Sequence, residues 1–252
     1  MSRLSVNLGL LRSIVTYYGM PWRRRSLARF YRELIPEGSL VFDVGAHVGS
    51  RTRSLLSTGA SCVAIEPQPA FARLLERLFA SNERVTLVKH AIGSEPGTAQ
   101  LHVSSRHPTV STLSSDWVSR VGSTAGFESV AWDSTVSVSV TTLDALIAQY
   151  GMPMFCKIDV EGMEAEILAG LSEPISIVAV EYIPATIDIA FACIERLDTL
   201  GQYDYNLSAG ETHRLQFDSW VSSEAVTSEL TRIAATDTQS GDLYARLKSD
   251  KR

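Results

Sequence analysis

The sequence predicts an α/β protein built on a doubly wound, mostly parallel sheet. Short apolar runs at residues 39–44, 62–65 and 85–89 alternate with segments of helical pattern, and strand-helix-strand-helix-strand at this spacing argues for right-handed parallel crossovers. The chain has 252 residues and 27.6 kDa, near the upper end of what one α/β core fills, so one domain with a short appendage is expected. Its 45% apolar and 20% charged residues exclude wholesale disorder. No apolar run reaches the roughly eighteen residues of a bilayer span.

In chain order, residues 1–37 form a basic, helical N-terminal appendage and residues 38–252 the main domain, with a variable loop at 104–135. Residues 1–35 carry seven Arg (Arg3, Arg12, Arg23, Arg24, Arg25, Arg29 and Arg32) against Glu33, a balance of +6 that leaves −11 for the remainder of a chain of net charge −5. An acidic body argues against general nucleic-acid affinity, while the basic head could meet an anionic membrane surface, a phosphorylated substrate or a partner. Its plainer role is a solvated helix face packed on the core by Leu27, Phe30, Tyr31 and Leu34. The apolar stretch from Leu8 to Val15 is interrupted by Arg12 and followed by Tyr17, Tyr18 and an arginine run, which is not the layout of a cleavable leader. Cys62, Cys156 and Cys193 form no CxxC pair and show no metal spacing, which fits a reducing cytosol.

After the turn Pro36-Glu37-Gly38, residues 39–44 read as a buried strand, followed by a glycine-bearing turn and a helix ending at Gly59. Cys62–Ile65 and Val85–Lys89 are the next strands, with a helix from about Pro69 to Ala80 between them. Gly97–Val103 and Val136–Val140 alternate as a hairpin or edge pair would. The Ser/Thr-rich stretch from Ser104 to Ser134 between them is long for a structureless connection, and such loops tend to be lids or binding loops. A helix starts at Thr141–Asp144, Met154–Val160 is a strand, Glu164–Leu171 a short helix, Ile175–Glu181 a strand and Pro184–Leu200 a helix. Tyr203–Leu207 and Leu243–Leu247 could close the sheet as an antiparallel pair.

Three places can carry chemistry. Asp43-Val44-Gly45-Ala46-His47-Val48-Gly49 joins a strand to a helix, the place in an open parallel sheet where nucleotide-like ligands bind. The spacing is not GxGxxG, so a pyrophosphate cradle is not the natural reading, and an acid at the strand end suits a cationic or hydroxyl-bearing ligand. Glu66 ends the second strand seventeen residues beyond Gly49, where doubly wound folds place the carboxylate that accepts both ribose hydroxyls, and Pro67 stops the strand. Two acidic strand ends around a glycine turn suggest an adenosine ligand without pyrophosphate, a description S-adenosylmethionine fits. In Lys157-Ile158-Asp159-Val160-Glu161-Gly162-Met163-Glu164, Asp159 and Glu161 beside Lys157 make a costly cluster unless something positive uses it, whereas Glu164 and Glu166 suit the first turn of a helix.

The segments 41–49, Ile65-Glu66-Pro67, Thr142-Leu143-Asp144 and 157–164, with Leu168-Ala169-Gly170 downstream, resemble the FkbM family of S-adenosylmethionine-dependent methyltransferases, over about residues 38–183. The resemblance implies a class I methyltransferase fold, a Rossmann-like sheet of seven strands with helices on both faces and a reversed last strand, and O-methylation of a sugar or polyketide hydroxyl. It implies Asp43, Gly45, Ala46 and Gly49 at the methionine part of the cofactor, Glu66 at the ribose, and His90-Ala91-Ile92 beside the adenine. With His47 and Pro67 these form the expected cofactor set.

A methyltransferase must align a nucleophile with the donor's sulfur–carbon bond and remove a proton. Asp159, Glu161 and Glu181 are the candidate bases, in that order. A divalent ion on Asp159, Glu161 and a third carboxylate is weakly supported by spacing, and no metal is expected. His47 is expected to point its ring to solvent; His107 could face the acceptor once the loop closes, and His102 and His213 show no constellation. Trp117, Phe127 and Trp132 could stack on a sugar or lipid face, but packing the loop is the commoner job. The expectation is a cytoplasmic enzyme methylating a hydroxyl of a sugar-containing or other secondary metabolite. The alternatives are a nucleotide-dependent oxidoreductase on the same sheet, disfavoured by the missing third glycine, and a non-catalytic cofactor-binding module.

Overall fold

The computed structural model describes residues 21–122, 124 and 127–248, without the side chains of residues 21–23. Arg3, Arg12 and the apolar stretch from Leu8 to Val15 therefore lie outside the described residues, as do residues 123, 125 and 126 of the loop.

Helix α1 (Pro21–Leu34) repeats apolar residues at helical spacing. Leu27, Phe30 and Tyr31 are buried against Val41, Phe155 and Tyr244, leaving Arg24, Arg25, Arg29 and Arg32 exposed. The main sheet follows: β1 (Leu40–Val44), α2 (Ser50–Leu56), β2 (Ser61–Ile65), α3 (Pro69–Phe79), β3 (Val85–Val88), then β7 (Phe155–Ile158), β8 (Ile177–Tyr182), β9 (Tyr203–Ala209) and β10 (Gly241–Leu247). Its order is β3-β2-β1-β7-β8-β10-β9. All pairs up to β8 are parallel, and β10 runs antiparallel to both β8 and β9. This is the seven-stranded sheet with a reversed last strand that the motifs implied. The central strands are apolar almost throughout because helices cover both faces. Strand order reverses between β1 and β7, so a crevice opens beyond their carboxyl ends.

A second sheet has the order β4-β6-β5, from β4 (Ala91–Ile92), β5 (Gly97–Val103) and β6 (Ser134–Thr141), with β5 and β6 antiparallel as their alternation predicts. The intervening stretch is not structureless: it holds a 3-10 turn, Pro108–Val110, and helix α4 (Ser115–Val121), capped by the Ser114 hydroxyl accepting from the Trp117 amide. Helices α5 (Leu143–Tyr150), α6 (Glu164–Ala169) and α7 (Ile187–Leu200) match the pattern, except that Pro184–Thr186 is a 3-10 turn rather than the first turn of α7. The sequence reading assigned nothing to α8 (Ser223–Thr236), although Ser222 caps it and Val226, Leu230 and Ile233 form a buried stripe.

Among the described residues, no helix is long and apolar enough to cross a membrane.

Candidate active site

The turn after β1 is fixed by backbone geometry. Gly45 has φ 84°, and a Cβ there would run into the Asp159 carbonyl oxygen, so the close approach of the β1 and β7 ends demands glycine. Gly49 has φ 77°, and a Cβ on it would press within 2.8 Å of Leu75 and Phe79. Helix packing alone therefore demands glycine there. Asp43 also departs from the expected placement: its carboxylate is buried beneath the turn, accepts a hydrogen bond of 2.5 Å from the Thr52 hydroxyl and lines neither cavity described below. Burial raises its pKa, and the Thr52 bond opposes the shift.

Glu66 is only 5% exposed, and its two oxygens accept from the amides of His47 and Gln68, each at 2.8 Å. Burial pushes its pKa up to about 7 against the pull of those amides. A carboxylate has about four acceptor positions, so both oxygens retain capacity for hydroxyl donors. The His47 ring does not turn to solvent as expected. It packs edge-on against Phe71 with centroids 4.0 Å apart, and burial lowers its pKa to about 3, which keeps it neutral. His47 adopts φ 53°, a left-handed turn conformation that aims its amide at Glu66.

At the β7 end, Lys157 is fully buried, with Nζ 2.7 Å from Asp242 Oδ1 and 3.7 Å from Asp159 Oδ2. Arg51 of α2 bridges Asp159 at 3.3 Å and Asp242 at 3.5 Å, and donates to the Tyr31 hydroxyl. Burial alone would lower the Lys157 pKa, but Asp242 and Asp159 outweigh it and hold the ammonium above the usual lysine range. The cluster that looked costly in sequence is thus compensated internally, by an arginine and an aspartate distant in the chain. Glu164 does not serve as a simple helix-end charge: its oxygens accept from the Val160 and Gly162 amides at 3.1 Å and so hold the turn that presents Glu161.

Asp159, Glu161 and Glu181 each place one oxygen within 4.8 Å of the others, a spacing at which a divalent cation could be held. Glu161 sits at φ 60°, its Oε2 is buried without a hydrogen-bond partner, and its carbonyl accepts from the Thr112 hydroxyl. Burial, reinforced by the Asp159 charge, raises the pKa values of Glu161 and Glu181 well above the ordinary carboxylate range.

Two contiguous cavities share Gly45, His47, Thr109, Asp159 and Glu161. The larger, about 660 Å³, is walled by Ala46, Arg51, Phe127, Glu181, Ile183 and Glu211 among others, and is of small-molecule size. The smaller, about 70 Å³, lies among Glu66, Pro67, His90, Ala91 and Ile92, with Pro108–Leu113 leaning into it. The donor set there fits adenosine: a carboxylate with acceptor capacity to spare, exposed His90 and apolar Ala91 and Ile92. Of the expected cofactor set, Gly45, Ala46, His47, Glu66, Pro67, His90 and Ala91 meet these cavities, and Asp43 and Gly49 stand behind them.

Trp117 is buried, edge-on to Phe127 and Trp132, and packs over Gly162, so it holds the loop down; Phe127 reaches the larger cavity. His107 lines neither cavity. His213, which showed no constellation in sequence, pairs with Glu211 at 3.0 Å, and that bond lowers the Glu211 pKa at the cavity wall. Sequence reasoning missed Arg51, Asp242 and Glu211. Arg51 had a signal, a cation in the first turn of the helix after the glycine turn, but its acidic partners come together only in the fold.

Comparison with solved structures finds the precorrin-6y C5,15-methyltransferase of Geobacter metallireducens GS-15, 12% identical, covering 90% of this chain and 87% of that one at TM-score 0.47. A SAM-dependent O-methyltransferase of Thermotoga maritima is 13% identical, covering 89% and 66% at TM-score 0.40. The 23S rRNA methyltransferase ErmE is 11% identical, covering 90% and 68% at TM-score 0.46. No curated protein matches the chain by sequence. The family model described as the methyltransferase FkbM domain matches residues 43–207, which include both acidic strand ends, the glycine turn and the 157–164 block. The chain belongs to the FkbM family of S-adenosylmethionine-dependent methyltransferases.

Proposed function

We propose that the chain methylates a hydroxyl of a sugar-containing or other secondary metabolite, held in the cavity of about 660 Å³. The observation that carries this reading is the convergence of Asp159, Glu161 and Glu181 on that cavity, with Glu161 Oε2 buried and unpartnered. Bound at Gly45–His47 and Glu66, S-adenosylmethionine supplies an activated methyl on a sulfonium. The residues of the chain must then position the acceptor and take its proton.

Asp159 headed the candidates in sequence, but its Oδ2 is engaged by Arg51 and Lys157. Glu161 is the better base, because its raised pKa makes it a stronger proton acceptor and one oxygen is uncommitted. Glu181 shares the cavity and the direction of shift, and is the second candidate for the role. The Asp159 charge raises the proton affinity of both. The acceptor is read by the loop that contributes Thr109, Val110 and Phe127 to the wall.

The test is transfer of labelled methyl to a panel of glycosides and polyols, with the product bond located by NMR. Glu161→Gln should lower kcat by about a hundredfold or more while leaving S-adenosylhomocysteine affinity within a factor of about two. Because the base must be ionised, wild-type kcat/KM should rise with pH through a pKa above the ordinary carboxylate range. Full activity of the Gln variant would remove Glu161 from the role, and loss of activity on adding EDTA would turn the three carboxylates into metal ligands.

A further inference from the structure

The described arginines of the N-terminal head line neither cavity of the active site. Arg24, Arg25, Arg29 and Arg32 of α1 are joined by Arg53 of α2 and Arg84 at the start of β3 around a groove of about 760 Å³. Among the described residues no Asp or Glu lines it. Arg84 is clamped onto the carbonyls of Leu56 and Ala60 at 3.1 and 3.2 Å, and Arg32 onto that of Ser57 at 3.2 Å. These bonds cap the end of α2 and hold two cations in place. Arg24, Arg25 and Arg29 are exposed on the helix face opposite Leu27, Phe30 and Tyr31. The groove lies where α2 and α3 end and β3 begins, at the amino edge of the parallel sheet. The acidic cavity is at the carboxyl edge.

We infer that this groove is a docking site for phosphate headgroups of an anionic membrane surface. Guanidinium forks match phosphate bidentately, and a cluster of four to eight basic side chains is what such surfaces attract. The sequence directly before α1 supplies apolar residues from Leu8 to Val15, then Tyr17 and Tyr18, the residue types that settle at a bilayer interface. The remaining −11 of charge would repel a polyanion tracking across the body, which favours a surface met by one face over a nucleic acid. Docking in this sense turns the acidic cavity away from the bilayer and leaves it open.

The test is flotation of the full chain with phosphatidylcholine vesicles, with and without about 30% phosphatidylglycerol. Binding is expected only with the anionic lipid and should fade toward about 0.5 M salt. The triple variant Arg24→Glu, Arg25→Glu, Arg29→Glu should bind those vesicles roughly a hundredfold more weakly. The matching triple Lys variant should bind them nearly as wild type does, and both should keep wild-type S-adenosylhomocysteine affinity. Equal binding to both lipids, or anionic-vesicle binding undiminished by charge reversal, overturns the inference. So does tighter binding of glycerol phosphate, which assigns the groove to a soluble phosphate ester, or of a short RNA duplex, which assigns it to nucleic acid.

Discussion

Glu66 illustrates how much one side chain can be asked to do. It ties the glycine turn to the end of β2 through the His47 and Gln68 amides, and it faces the cavity where a ribose would sit. A charged acceptor bonded to two hydroxyls contributes a few kcal/mol, so Glu66→Ala should weaken S-adenosylhomocysteine binding by about tenfold to a hundredfold in calorimetry. Unchanged affinity in a folded variant would separate Glu66 from the ribose. The residue was legible in sequence because an acid at a strand end, at this distance from a glycine turn, has few other uses in a doubly wound fold. The orientation of His47 was not, because edge-on packing against Phe71 depends on where α3 lies over the turn. Asp43 and Gly49 were legible as special, but their packing partners were not: one accepts from Thr52 and the other leaves room for Leu75 and Phe79.

At the scale of elements, β10 is the piece that completes the site from afar. By running antiparallel between β8 and β9 it sets Asp242 opposite Glu181 and within 2.7 Å of Lys157. Removing one partner of a buried ion pair costs about 3–5 kcal/mol, so Asp242→Asn should lower unfolding stability by that order in urea titration. Replacing Lys157 and Asp242 together by Met and Leu should recover part of the loss, since the uncompensated charge is what costs most. A loss no larger for the single variant than for the double would show that the pair carries little. The strands themselves were readable from their apolar runs and the β5–β6 ribbon from its alternation. Helix α4 was hidden because its seven residues carry one short apolar face, satisfied only when Trp117 closes over Gly162. Helix α8 carried its cap and stripe in plain view.

For the whole molecule, the buried carboxyls set the pH dependence of stability. Glu66 and Glu164 have folded pKa values of about 7, and Glu161 and Glu181 are also raised well above the ordinary value, so the folded chain binds more protons than the unfolded one above the unfolded value near 4.5. Stability must therefore fall as pH rises from there through 7. Asp242 acts in the opposite sense: its lowered pKa contributes stability that is complete above about pH 4 and is lost as pH falls through its folded value. The ligand-free chain should melt at a higher temperature near pH 5 than near pH 8, as differential scanning calorimetry would read. A flat or rising profile would mean that these carboxyls are neutralised by another route. By itself the sequence determined the strand–helix alternation, the glycine turn, the two acidic strand ends and the family, because each is encoded in contiguous residues through apolar periodicity, φ > 0 positions and motif spacing. Only the tertiary structure decided which charges meet, since Arg51, Lys157, Asp159 and Asp242 pair through sheet register and strand order, and these are set by long-range packing that no local window contains.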